Sequence, residues 1–226
     1  MTKEMVQADL DRLPEGYKTA EDDRLIERYV REKQDMSALR AYVLAEQQLH
    51  RIYFHTSLKQ IRDVNERMKW LDGNLLFSDW WHTDENIRFV SDLNLETALE
   101  YARRYVTDSD PFIRRWGYVM FISKLCRSEA ALHGILPLLH NDEHYYVQMA
   151  QAWLIAELTV FFPDEIYEWL PQSGLNYTIT GRAVQKICDS YRIDTRMKLL
   201  FRTLRESLKH TAPTHKNTIP DNRTLF

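Results

Sequence analysis

Asp142-Glu143-His144-Tyr145-Tyr146-Val147-Gln148-Met149-Ala150-Gln151-Ala152-Trp153-Leu154-Ile155-Ala156-Glu157-Leu158 sets the reading of everything around it. It opens on acidic residues, which suit the positive end of a helix. Apolar side chains then recur at Tyr146, Val147, Ala150, Trp153, Leu154 and Leu158, the spacing of a helix with one wide buried stripe. Ala150, Ala152 and Ala156 leave room for a neighbouring helix. The run is predicted to continue to Phe162 and stop at Pro163, which breaks a helix interior but suits the first turn of the next one. This is the pattern of a buried helix with Trp153 near its middle.

The pattern recurs. A shift of 34 residues lays Val147 on Ile113 and brings Asp110-Pro111-Phe112-Ile113-Arg114-Arg115-Trp116-Gly117 into register. A shift of 33 lays Ala150 on Ala183, within Ile179-Thr180-Gly181-Arg182-Ala183-Val184-Gln185-Lys186-Ile187. Each copy is a polar turn followed by a long apolar helix, and the first two are followed by shorter helices, Ala130 to Leu139 and Pro163 to Leu170. A helix pair repeating at this interval marks an all-α chain folded as an α-solenoid of HEAT-like helix pairs.

Composition narrows the function classes. A net charge of −3 over 226 residues excludes a globally basic nucleic-acid binder. No apolar run approaches the ~18 residues of a transmembrane helix, and Met1 to Met5 is polar and acidic rather than signal-like. Cys126 and Cys188 fall in predicted helices among apolar neighbours, as reduced, buried thiols of a cytoplasmic protein do. Residues 141–173 hold six acids and no Lys or Arg, whereas Arg182 to Lys209 holds eight basic residues against three acids. Arg103, Arg104, Arg114, Arg115, Lys124 and Arg127 form a second basic group. If these cations converge on one groove they can neutralise a phosphate backbone, and otherwise they are solvated helix faces.

Upstream, helices are predicted over Ala20 to Glu32, Met36 to His50, Tyr53 to Trp70 and Leu93 to Val106. A short helix before residue 19 breaks at Leu13-Pro14-Glu15-Gly16, and Leu71 to Asn74 is a turn. A last helix runs from Thr195 to Lys209. Residues 1–210 read as a single domain and residues 211–226, with Pro213 and Pro220, as a mobile tail. His140-Asn141-Asp142-Glu143-His144 lacks metal-ligand spacing and neither cysteine has a CxxC partner, so no metal or other cofactor is expected.

The strings Tyr145-Tyr146-Val147-Gln148-Met149-Ala150-Gln151-Ala152-Trp153, Phe112-Ile113-Arg114-Arg115-Trp116-Gly117 and Ala183-Val184-Gln185-Lys186-Ile187 resemble the DNA alkylation-repair family of HEAT-like-repeat glycosylases, the AlkD-like proteins. The likeness covers roughly Leu71 to Arg205. It implies a monomeric enzyme that hydrolyses the N-glycosidic bond of cationic N7- or N3-alkylated purines in double-stranded DNA, with no base pocket and no membrane partner. The family site combines an Asp, two Trp and an Arg. By resemblance these fall on Asp84 as the catalytic acid, on Trp80 (in Asp79-Trp80-Trp81-His82-Thr83-Asp84) and Trp153 as contacts to the lesion nucleotide, and on Arg115 as a residue that holds the DNA backbone. A competing alignment makes Asp79 the acid, and Asp84 also reads as a helix N-cap. Arg114 is the fallback for Arg115, and Trp153 also reads as a core residue. Arg182 and Lys186 are candidate contacts to the DNA backbone. The segment differs from the family's usual string in Trp81 and His82. A non-catalytic DNA-binding module and a protein-binding scaffold are the competing functions.

Overall fold

Short polar side chains punctuate the chain, each accepting from a backbone N–H that a helix start leaves open. Asp63 accepts from Asn65 (2.9 Å) and Glu66 (3.0 Å), Asn94 from Glu96 (2.9 Å), Asp110 from Phe112 (2.7 Å), Ser128 from Ala131 (3.2 Å) and Asn176 from Ile179 (3.1 Å). In the computed structural model, which describes residues 1–14 and 19–211, the helices are α1 (Lys3–Leu10), α2 (Thr19–Arg31), α3 (Gln47–Gln60), α4 (Val64–Asp72), α5 (Trp80–Asp84), α6 (Ile87–Val90), α7 (Leu95–Tyr105), α8 (Pro111–Val119), α9 (Glu129–Ile135), α10 (Tyr145–Phe161), α11 (Pro163–Trp169), α12 (Tyr177–Asp189) and α13 (Thr195–Thr211). The described residues contain no strand, and none of their helices is long and apolar enough to cross a membrane.

The repeat is visible in the packing. Helices α8, α10 and α12, the long helices of the three copies, lie side by side in that order, and α11 and α13 follow against α10 and α12. Ala150 and Ala152 on α10 are fully buried and Ala156 nearly so, as a helix gripped from both sides requires. Polar ties join neighbouring copies at about one repeat length. Arg104 reaches Asp72 (3.1 Å), Lys124 reaches Asp92 (2.6 Å), the Asn141 side chain donates to Gly174 O (3.1 Å), and Arg192 binds Glu157 (2.9 Å). The recurring separation is 32 to 35 residues, close to the 33- and 34-residue shifts of the sequence.

The structure corrects several boundaries. The helix expected over Met36 to His50 is instead a 3₁₀ turn, Ser37–Leu39, followed by turns up to Gln47. Asp35 accepts from Ser37 N–H (2.9 Å), a local bond that competes with helix, while Leu39 and Val43 stay fully buried. The helix expected over Tyr53 to Trp70 is two, because Ile61 is extended and Asp63 caps a new start; Arg67 Nε locks the break by donating to Ile61 O (2.7 Å). Helix α10 begins at Tyr145 rather than at Asp142, whose carboxylate is taken by Arg114 (2.7 Å) and His144 N–H (2.8 Å). Cys126 is buried and its thiol pushed up to about 11, but Cys188 is only half-buried. Glu15, Gly16 and the tail beyond residue 211 lie outside the described residues.

An aromatic layer carries α5. His50 on α3 stacks on His82 (centroids 3.6 Å, 8° between planes) and on Phe54 (4.3 Å), and Trp81 meets His50 edge-on at 5.4 Å. Phe77 extends the layer to Trp116 (5.8 Å) on α8. A five-residue helix cannot hold itself together, since its nucleus costs more than so few hydrogen bonds return. Trp81 and His82 therefore anchor α5, and the residues by which the segment departs from the family string have a packing role. Both imidazoles are buried and neutral: burial lowers His50 to about 3 and His82 to about 4, and His55 nearby falls to about 2.

Two predictions follow from this packing. A Cβ at Gly117 would lie 2.9 Å from Val106 Cγ1, 3.0 Å from Tyr105 Cβ and 3.2 Å from Val106 N, so α8 touches the end of α7 through a bare backbone. Overpacking there costs about 1–3 kcal/mol, more than the roughly 1 kcal/mol by which Ala outranks Gly in a helix. Gly117→Ala is expected to lower the urea midpoint; an unchanged or raised midpoint contradicts the close contact. The buried histidines have folded values below the ordinary 6.5, so the unfolded chain binds more protons. Their stabilisation is complete above pH 6.5 and is lost as pH falls, by about 1.4 kcal/mol per unit for each. Glu85, raised by burial, opposes this above its ordinary 4.5. Stability measured by urea is expected to drop steeply between pH 7 and 5; a flat profile contradicts the three neutral histidines.

Candidate active site and nucleic-acid interface

Arg115 lies one turn into α8, where its backbone is sealed against α7 and α10 and its side chain is only 4% exposed. A buried guanidinium needs partners on all sides, and α5 and α10 supply them. Nε donates to Thr83 Oγ1 (3.0 Å), one terminal nitrogen to Tyr146 O (2.8 Å) and the other to Asp84 Oδ1 (2.7 Å). Thr83 Oγ1 also donates to Trp80 O (2.7 Å), closing the turn of α5. One cation thus fixes Asp84 relative to α8 and the start of α10.

The ends of α5 divide the two candidate acids. Asp79 is the N-cap, accepting from Trp80 N–H (2.6 Å). Asp84 ends the helix and caps nothing; its Oδ2 accepts from no described residue. Trp80 and Asp84 are one turn apart, opposite in role to the anchoring Trp81 and His82, and Trp80 is 45% exposed.

Helices α10 and α12 bring the other candidates to the same place. Trp153 is half-buried rather than sealed in the core, and the Lys186 ammonium sits 5.9 Å from the centre of its ring. Lys186 interacts electrostatically with both Arg115 and Asp84, and burial is the main cause of its lowered pKa. One turn earlier, Arg182 lies 4.7 Å over the ring of Tyr145, which is 53% exposed, and donates to Gln148 Oε1. Asp84, Arg115, Trp153 and Lys186 are therefore one cluster, with Trp80 and Arg182 beside it. Arg114 is elsewhere: it fastens Asp142 and the carbonyls of Asp108 (2.9 Å) and Ser109 (3.0 Å).

Sequence reasoning missed Thr83, Tyr145, Tyr146 and Gln148. Tyr145, Tyr146 and Gln148 lay inside the quoted motif, and Thr83 directly precedes Asp84, so adjacency was the available signal. The described residues include no group of three or more metal-ligating side chains. The cluster instead joins one carboxylate, aromatic faces and cations.

Comparison with known proteins gives one result. Searches of curated proteins and of solved structures return no match. The profile of a single family, described as DNA alkylation repair enzyme, matches residues 16–187, three-quarters of the chain and every member of the cluster. The chain belongs to the DNA alkylation repair enzyme family.

Proposed function

We propose that the chain is a DNA glycosylase that hydrolyses the N-glycosidic bond of cationic N7- or N3-alkylated purines in duplex DNA. The observation that carries this reading is Asp84, ion-paired to buried Arg115 and within electrostatic reach of the Lys186 that meets the half-exposed indole of Trp153, with the exposed Trp80 one helical turn away. The stacked helices are read as a superhelix whose hollow receives the duplex, the chain acting as a monomer with no cofactor.

An alkylated purine already carries positive charge, so the bond breaks with its electron pair moving onto the base. Oxocarbenium character develops on the deoxyribose. A preplaced carboxylate stabilises that charge most where water is scarce, and the indole faces add quadrupole attraction for a cationic sugar and base. Water then bonds to C1′, and its proton passes first to Asp84. Arg115 keeps the acid in place, and Arg182 and Lys186 are assigned to backbone phosphate in this reading.

The alternative is a non-catalytic DNA-binding or scaffold module. The near-complete burial of Arg115 favours it, since an ion pair of this kind also serves as a structural staple. Base release decides. With methylated duplex, the wild-type chain is expected to liberate N7-methylguanine or N3-methyladenine. Asp84→Asn should slow single-turnover release by about 10²–10³-fold, the scale of removing one transition-state partner, and Asp79→Asn should stay near the wild-type rate. Undiminished release by Asp84→Asn, or none by the wild type, contradicts the proposal.

A further inference from the structure

A cleft of about 470 Å³ is lined by Asp84 but by neither Trp153 nor Lys186. Its walls include Arg51, His55, Asp84, Arg88, Lys124 and Arg127. Two of the four cations are already neutralised. Arg51 binds Asp23 (2.7 Å) and Glu85, and Lys124 binds Asp92 (2.6 Å).

Arg88 and Arg127 are different. Both are exposed, and neither makes an ion pair with a described carboxylate. Each is nonetheless held. Arg88 donates to His55 Nδ1 (2.8 Å) and lies 5.0 Å over the ring of Phe89. His55 is 1% exposed, and because its Nδ1 accepts, its proton sits on Nε2, 3.5 Å from Glu85 Oε2. A neutral imidazole thus positions the guanidinium without cancelling its charge. Arg127 donates from Nε to Ser123 O (2.7 Å) and lies 5.5 Å over Phe161. Both guanidinium planes are fixed, with donors to spare, on the wall of one cleft. Paired planar forks of this kind suit the oxygens of a phosphate.

We propose that Arg88 and Arg127 clamp a phosphodiester of the lesion-bearing strand, next to the nucleotide held at Asp84. Asp84 forms part of the cleft wall, so the phosphate bound there lies about one sugar–phosphate step from the reacting sugar. A phosphate of the opposite strand would have to reach across a groove ~6 Å or ~12 Å wide. The clamp then sets the register of the strand, while Arg182 and Lys186 stand outside the cleft. The inference rests on the glycosylase reading for the identity of the polymer and for the nucleotide at Asp84.

The test is a methylphosphonate scan. Duplexes carrying one uncleavable tetrahydrofuran site have a single phosphate at a time made neutral, and the affinity of the full chain for each is measured. The wild type is expected to lose about tenfold at one or two adjacent positions beside the site, in that strand. The Arg88→Ala/Arg127→Ala double variant should bind the unmodified duplex about tenfold less well, show a shallower salt dependence, and lose its sensitivity at those positions alone. Arg88→Lys/Arg127→Lys should recover part of both. Unchanged affinity of the double variant, retained sensitivity at every position, or sensitivity confined to the opposite strand overturns the clamp. An intact scan with no base release would remove the glycosylase reading and leave the clamp standing. Base release with an unaltered scan would do the reverse.

Discussion

One buried guanidinium holds the candidate site in its present shape. Arg115 is surrounded by oxygen from α5 and α10, and it ties both of those helices to α8. Removing a partner from a buried charge costs far more than the bond itself contributes. The three bonds therefore dictate where Asp84 can be, and Asp84 belongs both to the cluster with Trp153 and to the cleft with Arg88. The same cation cannot easily be a mobile ligand for DNA. Its role in this account is to position the acid, and contact with the backbone falls to residues with exposed charge.

Much of the fold was legible because the sequence repeats itself. The 34- and 33-residue shifts reappear as the stack of α8, α10 and α12 and as polar ties of similar reach. The N-terminal third was less legible. Residues 36–46 bury Leu39 and Val43 at helical spacing, yet Asp35 diverts the backbone into turns, and a hydrophobic pattern does not reveal such local competition.

The site divided in the same way. Asp84, Trp80, Arg115, Trp153 and Lys186 could be picked out by the strings around them, and the structure gathers them. Periodicity alone had placed Trp153 inside a core helix; α10 is buried along most of its length, but that ring remains half-exposed beneath Lys186. Nothing local pointed to His55 or to the distinction between Arg88 and Arg51. That distinction depends on which carboxylates come near each cation in three dimensions. Similarly, within the acidic run 141–173 Asp142 and Glu157 are internal partners of Arg114 and Arg192, while Glu143, Asp164, Glu165 and Glu168 are exposed.

The central claim is that Asp84 is placed to meet positive charge on a deoxyribose. The most direct measurement compares affinity for two duplexes, one with a cationic pyrrolidine in place of the lesion sugar and one with the neutral tetrahydrofuran. The cation mimics the charge of the transition state, and a catalyst binds that state most tightly. The account predicts that the wild-type chain and Asp79→Asn prefer the cationic site and that Asp84→Asn loses the preference. Equal affinity of the wild type for the two sites, or a preference that survives Asp84→Asn, would contradict it.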